Sequence, residues 1–188
     1  RALEGDCRSS GGRSTFELSA VLSRHAYGSL VCRTEFVADS DLAFVYNNLA
    51  STYRKQKNTE KAMSYYTLAI SKDENYVLAY NNRGSLQIDL GNNTEALADI
   101  EKAISLDENY APAYNNRGVL HHINKKYDKA LSDFDKSIML DLKYAKAYLN
   151  RGITRQMTRD EDGACSDWLK AKELGIKLAN KYLGNDCE

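Results

Sequence analysis

The sequence has a single proline in 188 residues and no excess of either charge, with 26 Lys and Arg against 26 Asp and Glu and a pI near 7.0. Balanced charge argues against nucleic-acid binding through bulk electrostatics, which needs a surplus of cations on some face. No run approaches eighteen apolar residues, so no helical membrane span is expected. The four cysteines, Cys7, Cys32, Cys165 and Cys187, form no CxxC pair and have no histidine at metal-ligand spacing. Neither a zinc site nor a dense disulfide framework is expected, and the thiols read as free, with a Cys7–Cys32 bridge left open for a secreted protein. A P-loop, GxGxxG and GxSxG are all missing. His121 and His122 are adjacent, about 100° apart on a helix, and so placed they do not share a metal ion or a proton-transfer step. No enzyme activity, metal or cofactor is therefore expected, and the expected location is the cytoplasm.

What is present is a repeat. At an offset of 34 residues YVLAYNNRGSL from Tyr76, YAPAYNNRGVL from Tyr110 and YAKAYLNRGIT from Tyr144 fall into register, and VYNNLASTY around Tyr46 joins them. Four units follow, roughly 43–76, 77–110, 111–144 and 145–178, each too small to bury its own apolar face without neighbours. In each unit a large column, Tyr46, Tyr80, Tyr114 and Tyr148, stands four residues before a small one, Ala50, Gly84, Gly118 and Gly152. A second helix carries Ala62, Ala96, Ala130 and Ala164, then Tyr66, Ile100, Phe134 and Trp168. Large columns against small ones at helical spacing permit close helix packing.

These columns resemble the tetratricopeptide repeat, a 34-residue helix–turn–helix with an aromatic, a Gly or Ala four residues on, then Ala and an aromatic in the second helix. The resemblance covers about 136 of the 188 residues. It implies an all-α, right-handed superhelical solenoid of antiparallel helix pairs, four repeats closed by a C-terminal capping helix at about 176–184. The family's proline near the end of the second helix is absent, with Glu74, Glu108, Leu142 and Ile176 in its place. Residues 41–188 form the repeat domain. Residues 1–40 read as a separate non-repeat segment whose five basic residues are all Arg, with a capping-box pattern at Ser14–Glu17 opening one helix to about Tyr27 that lies on the first repeat.

Two asparagine columns recur on the first helices, Asn48, Asn82, Asn116 and Asn150, and beside them Asn47, Asn81 and Asn115, which end in Leu149. The resemblance implies that first helices line the concave surface. There an amide can engage both the C=O and the N–H of an extended peptide, or instead tie neighbouring first helices together. The same resemblance adds Ser51, Ser85, Val119, His122, Ile153 and Met157 to a peptide-binding set. Leu149, Ile153 and Met157 are expected to leave an apolar patch in the last stretch of groove. The basic clamp with which chaperone-binding relatives hold a C-terminal carboxylate is interrupted by Asn47, Pro112 and Asn116. The expected function is a non-enzymatic scaffold binding a peptide segment of another protein, with no nucleic acid and no membrane span; an RNA-binding helical repeat is the alternative. The oligomeric state stays open.

A last pattern is a pair. Arg83, Arg117 and Arg151 each have an Asp sixteen residues later, Asp99, Asp133 and Asp167, whereas the first unit has Leu49 and Tyr65 in those places. Joint presence and joint absence predict a salt bridge between the two helices of one unit.

Overall fold

The structure, a computed structural model, describes residues 38–183 and Cys187. The helix expected from Ser14 and the Cys7–Cys32 alternative lie outside the described residues. Eight α-helices form four pairs: α1 (Asp39–Lys55) with α2 (Thr59–Lys72), α3 (Val77–Leu90) with α4 (Asn93–Leu106), α5 (Ala111–Ile123) with α6 (Tyr127–Leu140), and α7 (Ala145–Met157) with α8 (Glu161–Glu173). Each helix packs on the next in sequence. First helices also touch one another, α1 with α3, α3 with α5 and α5 with α7, and no comparable contact joins the second helices. First helices therefore line the inner face of an all-α superhelix.

Local chemistry punctuates the units where proline is missing. The Asp73, Asp107 and Asp141 carboxylates each accept a hydrogen bond at 2.9 Å from the backbone N–H two residues on, closing the turn between units. Within units, the turn between helices places Lys57, Gly91, Lys125 and Arg159 in the left-handed region, at φ 61, 80, 58 and 64°. The Asn58 and Asp160 side chains then cap α2 and α8 by accepting from the N–H of Lys61 and Gly163.

The small column works as close approach requires. A Cβ on Gly84 would stand 2.9 Å from Ile100, one on Gly118 2.7 Å from Phe134, and one on Gly152 2.5 Å from Trp168. Each glycine thus admits the large side chain of its own second helix.

The C-terminal end departs from expectation in three ways. The capping segment is a five-residue 3-10 helix, Lys177–Lys181, rather than an α-helix over 176–184. Its Ala179 is fully buried, and Tyr182 stacks on Trp168 with ring centroids 5.3 Å apart. Leu149 is buried and Ile153 packs against the same apolar cluster, with Tyr182, Leu183 and Cys187, so only Met157 of the expected groove patch is left exposed. Finally, Cys165 and Cys187 form a disulfide with their Cα atoms 5.2 Å apart, so two of the four thiols expected to be free are bonded.

Candidate functional site

The inner face is built from one stripe per first helix, at positions spaced by four, three and four residues, and therefore on one side of the helix. The stripes read Phe44, Asn48, Ser51 and Lys55 on α1; Leu78, Asn82, Ser85 and Asp89 on α3; Pro112, Asn116, Val119 and Ile123 on α5; Lys146, Asn150, Ile153 and Met157 on α7.

The asparagines form a ladder across the seams. Asn82 Nδ2 donates to Asn47 Oδ1 at 3.0 Å, Asn116 to Asn81 at 2.8 Å and Asn150 to Asn115 at 2.9 Å. Asn47, Asn81 and Asn115 are only 4, 5 and 3% exposed. These three, expected to touch a peptide, are instead buried acceptors between repeats, because the neighbouring first helix covers them. The tie between helices that the columns left open as an alternative is therefore real. It consumes one N–H of each donor. A second N–H remains on Asn82, Asn116 and Asn150, and Asn48, at the head of its column, is exposed with no rung before it among the described residues.

Other side chains of the first helices are held by neighbouring helices, within a repeat or across a seam. The Arg54 guanidinium reaches Ser85 Oγ at 3.0 Å and pairs with Asp89 on the next first helix. Ser51 Oγ lies 3.1 Å from the Tyr66 hydroxyl. The fully buried Thr154 hydroxyl donates to the Asn150 carbonyl, and His122 Nδ1 stands 2.9 Å from Thr154 Oγ1. With the hydroxyl hydrogen spent, His122 must carry its proton on Nδ1 and donate. Burial lowers the pKa of His122, and burial also lowers that of His121, opposed by Asp133 3.6 Å away. The two rings thus face different partners and form no joint acid–base unit.

Four of the residues that stay open on the inner face are apolar, beside the exposed Asn48, Lys55, Asp89 and Lys146. Phe44, Leu78, Ile123 and Met157 are 57, 42, 48 and 55% exposed, with Val119 and Ile153 partly covered between them. Phe44 and Leu78 sit near the N-terminal ends of α1 and α3, whereas Ile123 and Met157 end α5 and α7. The exposed track therefore runs obliquely from one rim of the face to the other. A second exposed apolar pair, Met139 and Leu142, lies at the end of α6, away from these stripes.

The expected salt bridges are present within all three units. Arg83 holds Asp99 by two hydrogen bonds of 2.8 and 2.7 Å, Arg117 holds Asp133 with its shortest at 2.7 Å, and Arg151 holds Asp167 at 2.9 and 2.6 Å. In the first unit Tyr65 replaces the Asp and stacks between Tyr46 and Tyr53. Column analysis missed a further set of contacts that cross the seam: Arg83 donates to Thr67 and Arg151 to Asp135 of the preceding unit. Among the described residues, no group of three His, Cys, Asp or Glu is placed to hold a metal. No helix there is long and apolar enough to cross a membrane.

Models of the tetratricopeptide repeat match residues 45–76, 77–110 and 111–144, more than half of the chain. The chain belongs to the tetratricopeptide repeat family. Its fourth unit, outside those matches, is the helix pair α7–α8. No curated protein sequence matches the chain. Among solved structures, the Arabidopsis OM64 TPR domain is 24% identical with a TM-score of 0.60, covering 63% of this chain and 98% of that one. The first TPR of Spaghetti (RPAP3), bound to the HSP90 peptide SRMEEVD, is also 24% identical at 0.60, covering 65 and 97%. Pseudomonas aeruginosa pilF is 19% identical at 0.67, covering 74 and 64%. At these identities the likeness is one of fold.

Proposed function

We propose that this tetratricopeptide repeat chain is a non-enzymatic protein-interaction scaffold that holds an extended peptide segment across its inner face. The observation that carries the reading is the oblique track of exposed apolar side chains, Phe44 and Leu78 to Ile123 and Met157, flanking the amides of Asn82 and Asn116. Apolar surface left open beside polar groups is what a contact surface offers. The amides recognise backbone and the apolar residues select side chains. Each hydrogen bond is worth only about 0.5–1.5 kcal/mol net, against an association cost of roughly 4–15 kcal/mol, so the apolar contacts must supply most of the affinity.

The geometry sets the length of the ligand. Eleven residues along a helix axis span about 16 Å, and three steps between first helices at about 9 Å each span about 27 Å. The diagonal is about 31 Å, or nine to ten residues of extended chain at about 3.3 Å each. A chaperone tail held by its carboxylate is disfavoured by Asn47, Pro112 and Asn116 at the clamp positions, and Arg54 is engaged by Asp89.

The test is a peptide-display library panned on the folded chain, with selected peptides measured by calorimetry. Ile123→Asp together with Met157→Asp should weaken binding tenfold or more at unchanged melting temperature, while Leu169→Asp on α8 leaves it intact. Peptides that bind the double variant equally well, or a library that yields none, would overturn the reading. Binding of random-sequence RNA that falls steeply with salt would point to the alternative class instead.

A further inference from the structure

The C-terminal end is a rudimentary fifth repeat. Adding 34 residues to Ala145 and Tyr148 gives Ala179, fully buried, and Tyr182, stacked on Trp168. The cysteines keep the same register: Cys165 follows Met63, Leu97 and Leu131 on the second helices, and Cys187 follows Ser85, Val119 and Ile153 on the first. The bond thus joins the second helix of the fourth unit to the first-helix register of the segment that follows it. Where the earlier units are each followed by a first helix of 13 or 14 residues, this end is covered by a five-residue 3-10 helix. So short a helix does not hold itself together in water, and a repeat array needs its end closed.

We propose that the Cys165–Cys187 disulfide is the latch of this cap, installed by a disulfide donor in an oxidising compartment, and that its reduction by a dithiol, itself oxidised to a disulfide by the reverse exchange, releases the cap from the fourth repeat. The chemistry is two thiol–disulfide exchanges. The thiolate of one cysteine attacks the donor disulfide, forming a mixed disulfide and expelling one donor thiol. The other cysteine attacks the protein sulfur of that mixed disulfide, expelling the second donor thiol, so the donor is reduced by two electrons and the chain oxidised by two. The Cα separation of 5.2 Å lies within the range a disulfide spans. Such bonds persist in secreted, periplasmic or lumenal proteins and are rare in a reducing cytosol, so the proposal puts the chain in such a compartment rather than in the expected cytoplasm.

Trp168 is the only tryptophan in the chain, and its ring lies under Tyr182, so its emission reports the cap. The full chain should be made in an oxidising compartment, its free thiols trapped on lysis, and the disulfides mapped by mass spectrometry. A Cys165–Cys187 linked peptide is expected. Reduction should then shift Trp168 emission to the red and speed amide exchange in residues 179–183 at least tenfold, leaving residues 77–123 unchanged. Oxidised Cys187→Ser should already show the reduced signature, and Cys7→Ser with Cys32→Ser should retain the response to reduction. Full alkylation of Cys165 and Cys187 in the trapped chain would overturn the proposal. So would emission and exchange that ignore reduction.

Discussion

Asn116 donates to Asn81 across the seam between the second and third repeats at 2.8 Å, and Asn81 is buried. The amides that face the groove are thus also what joins its first helices. Replacing Asn116 by Ala strands a buried acceptor, at a cost of about 1–3 kcal/mol. Urea unfolding should show a lower midpoint for Asn116→Ala, with most of that loss absent when Asn81→Ala is already present. Additive losses in the double variant would mean that the rung contributes nothing to the seam.

The Arg–Asp bridges predict an asymmetry. Asp133 is buried, whereas the Arg117 side chain is 27% exposed and can turn its guanidinium to water. Arg117→Ala leaves a carboxylate inside the pair of helices with only His121 beside it, and breaking a buried pair in this way costs about 3–5 kcal/mol. Asp133→Ala should cost less, because the remaining charge can be solvated. Equal losses in the two variants, or a double-mutant cycle without coupling, would show that the bridge behaves as a surface pair.

The period of 34 made the fold legible, since the large and small packing columns kept their meaning through four units. The bridges were legible for a related reason: Leu49 and Tyr65 removed both partners at once. The ladder was harder, because its rungs join residues 35 apart (Asn47 to Asn82), and comparison at an offset of 34 sets each asparagine only against its own column. Thr154 stands in the column of the buried Leu86 and Leu120, and its hydroxyl is met there by the Asn150 carbonyl and by His122, which no comparison of columns sets beside it. Leu149 looked like groove surface by analogy with Asn47, Asn81 and Asn115, yet no fifth asparagine follows to cover it and the apolar cap does so instead. Cys165 and Cys187 match no cysteine motif; their relation appears only when both are mapped onto the repeat.

Three turns carry correctable strain. Lys57, Lys125 and Arg159 occupy the left-handed region where the second unit has Gly91. That conformation costs a side-chain-bearing residue roughly 1–2 kcal/mol, partly offset by the greater freedom that glycine loses on folding. Lys57→Gly, Lys125→Gly and Arg159→Gly should each stabilise the chain by about 0.5–1 kcal/mol, additively, since they lie in separate units. Calorimetric melting of the triple variant checks this, and a lower melting temperature would refute it.

Stability should fall in alkali through the inter-repeat tyrosines. Burial, reinforced by Tyr110 and Asp141, pushes the Tyr144 phenol up to about 12 from an ordinary 10.0, and burial raises Tyr76 and Tyr110 in the same direction. A raised acid pKa means that the folded chain holds its proton when the unfolded chain has lost it. The contribution is complete below pH 10 and is lost as pH rises towards 12. Each pKa unit corresponds to about 1.4 kcal/mol, which partial solvent contact at Tyr144 reduces to an overall effect on the order of 1–2 kcal/mol. Tyr144→Phe removes this group's titration and keeps the ring, so the stability lost between pH 9 and pH 11 should shrink relative to the unsubstituted chain. The difference between the two proteins, measured by urea unfolding at both pH values, cancels the lysines and the other tyrosines. An unchanged loss would mean that the Tyr144 phenolate is accommodated in the folded seam as readily as in water.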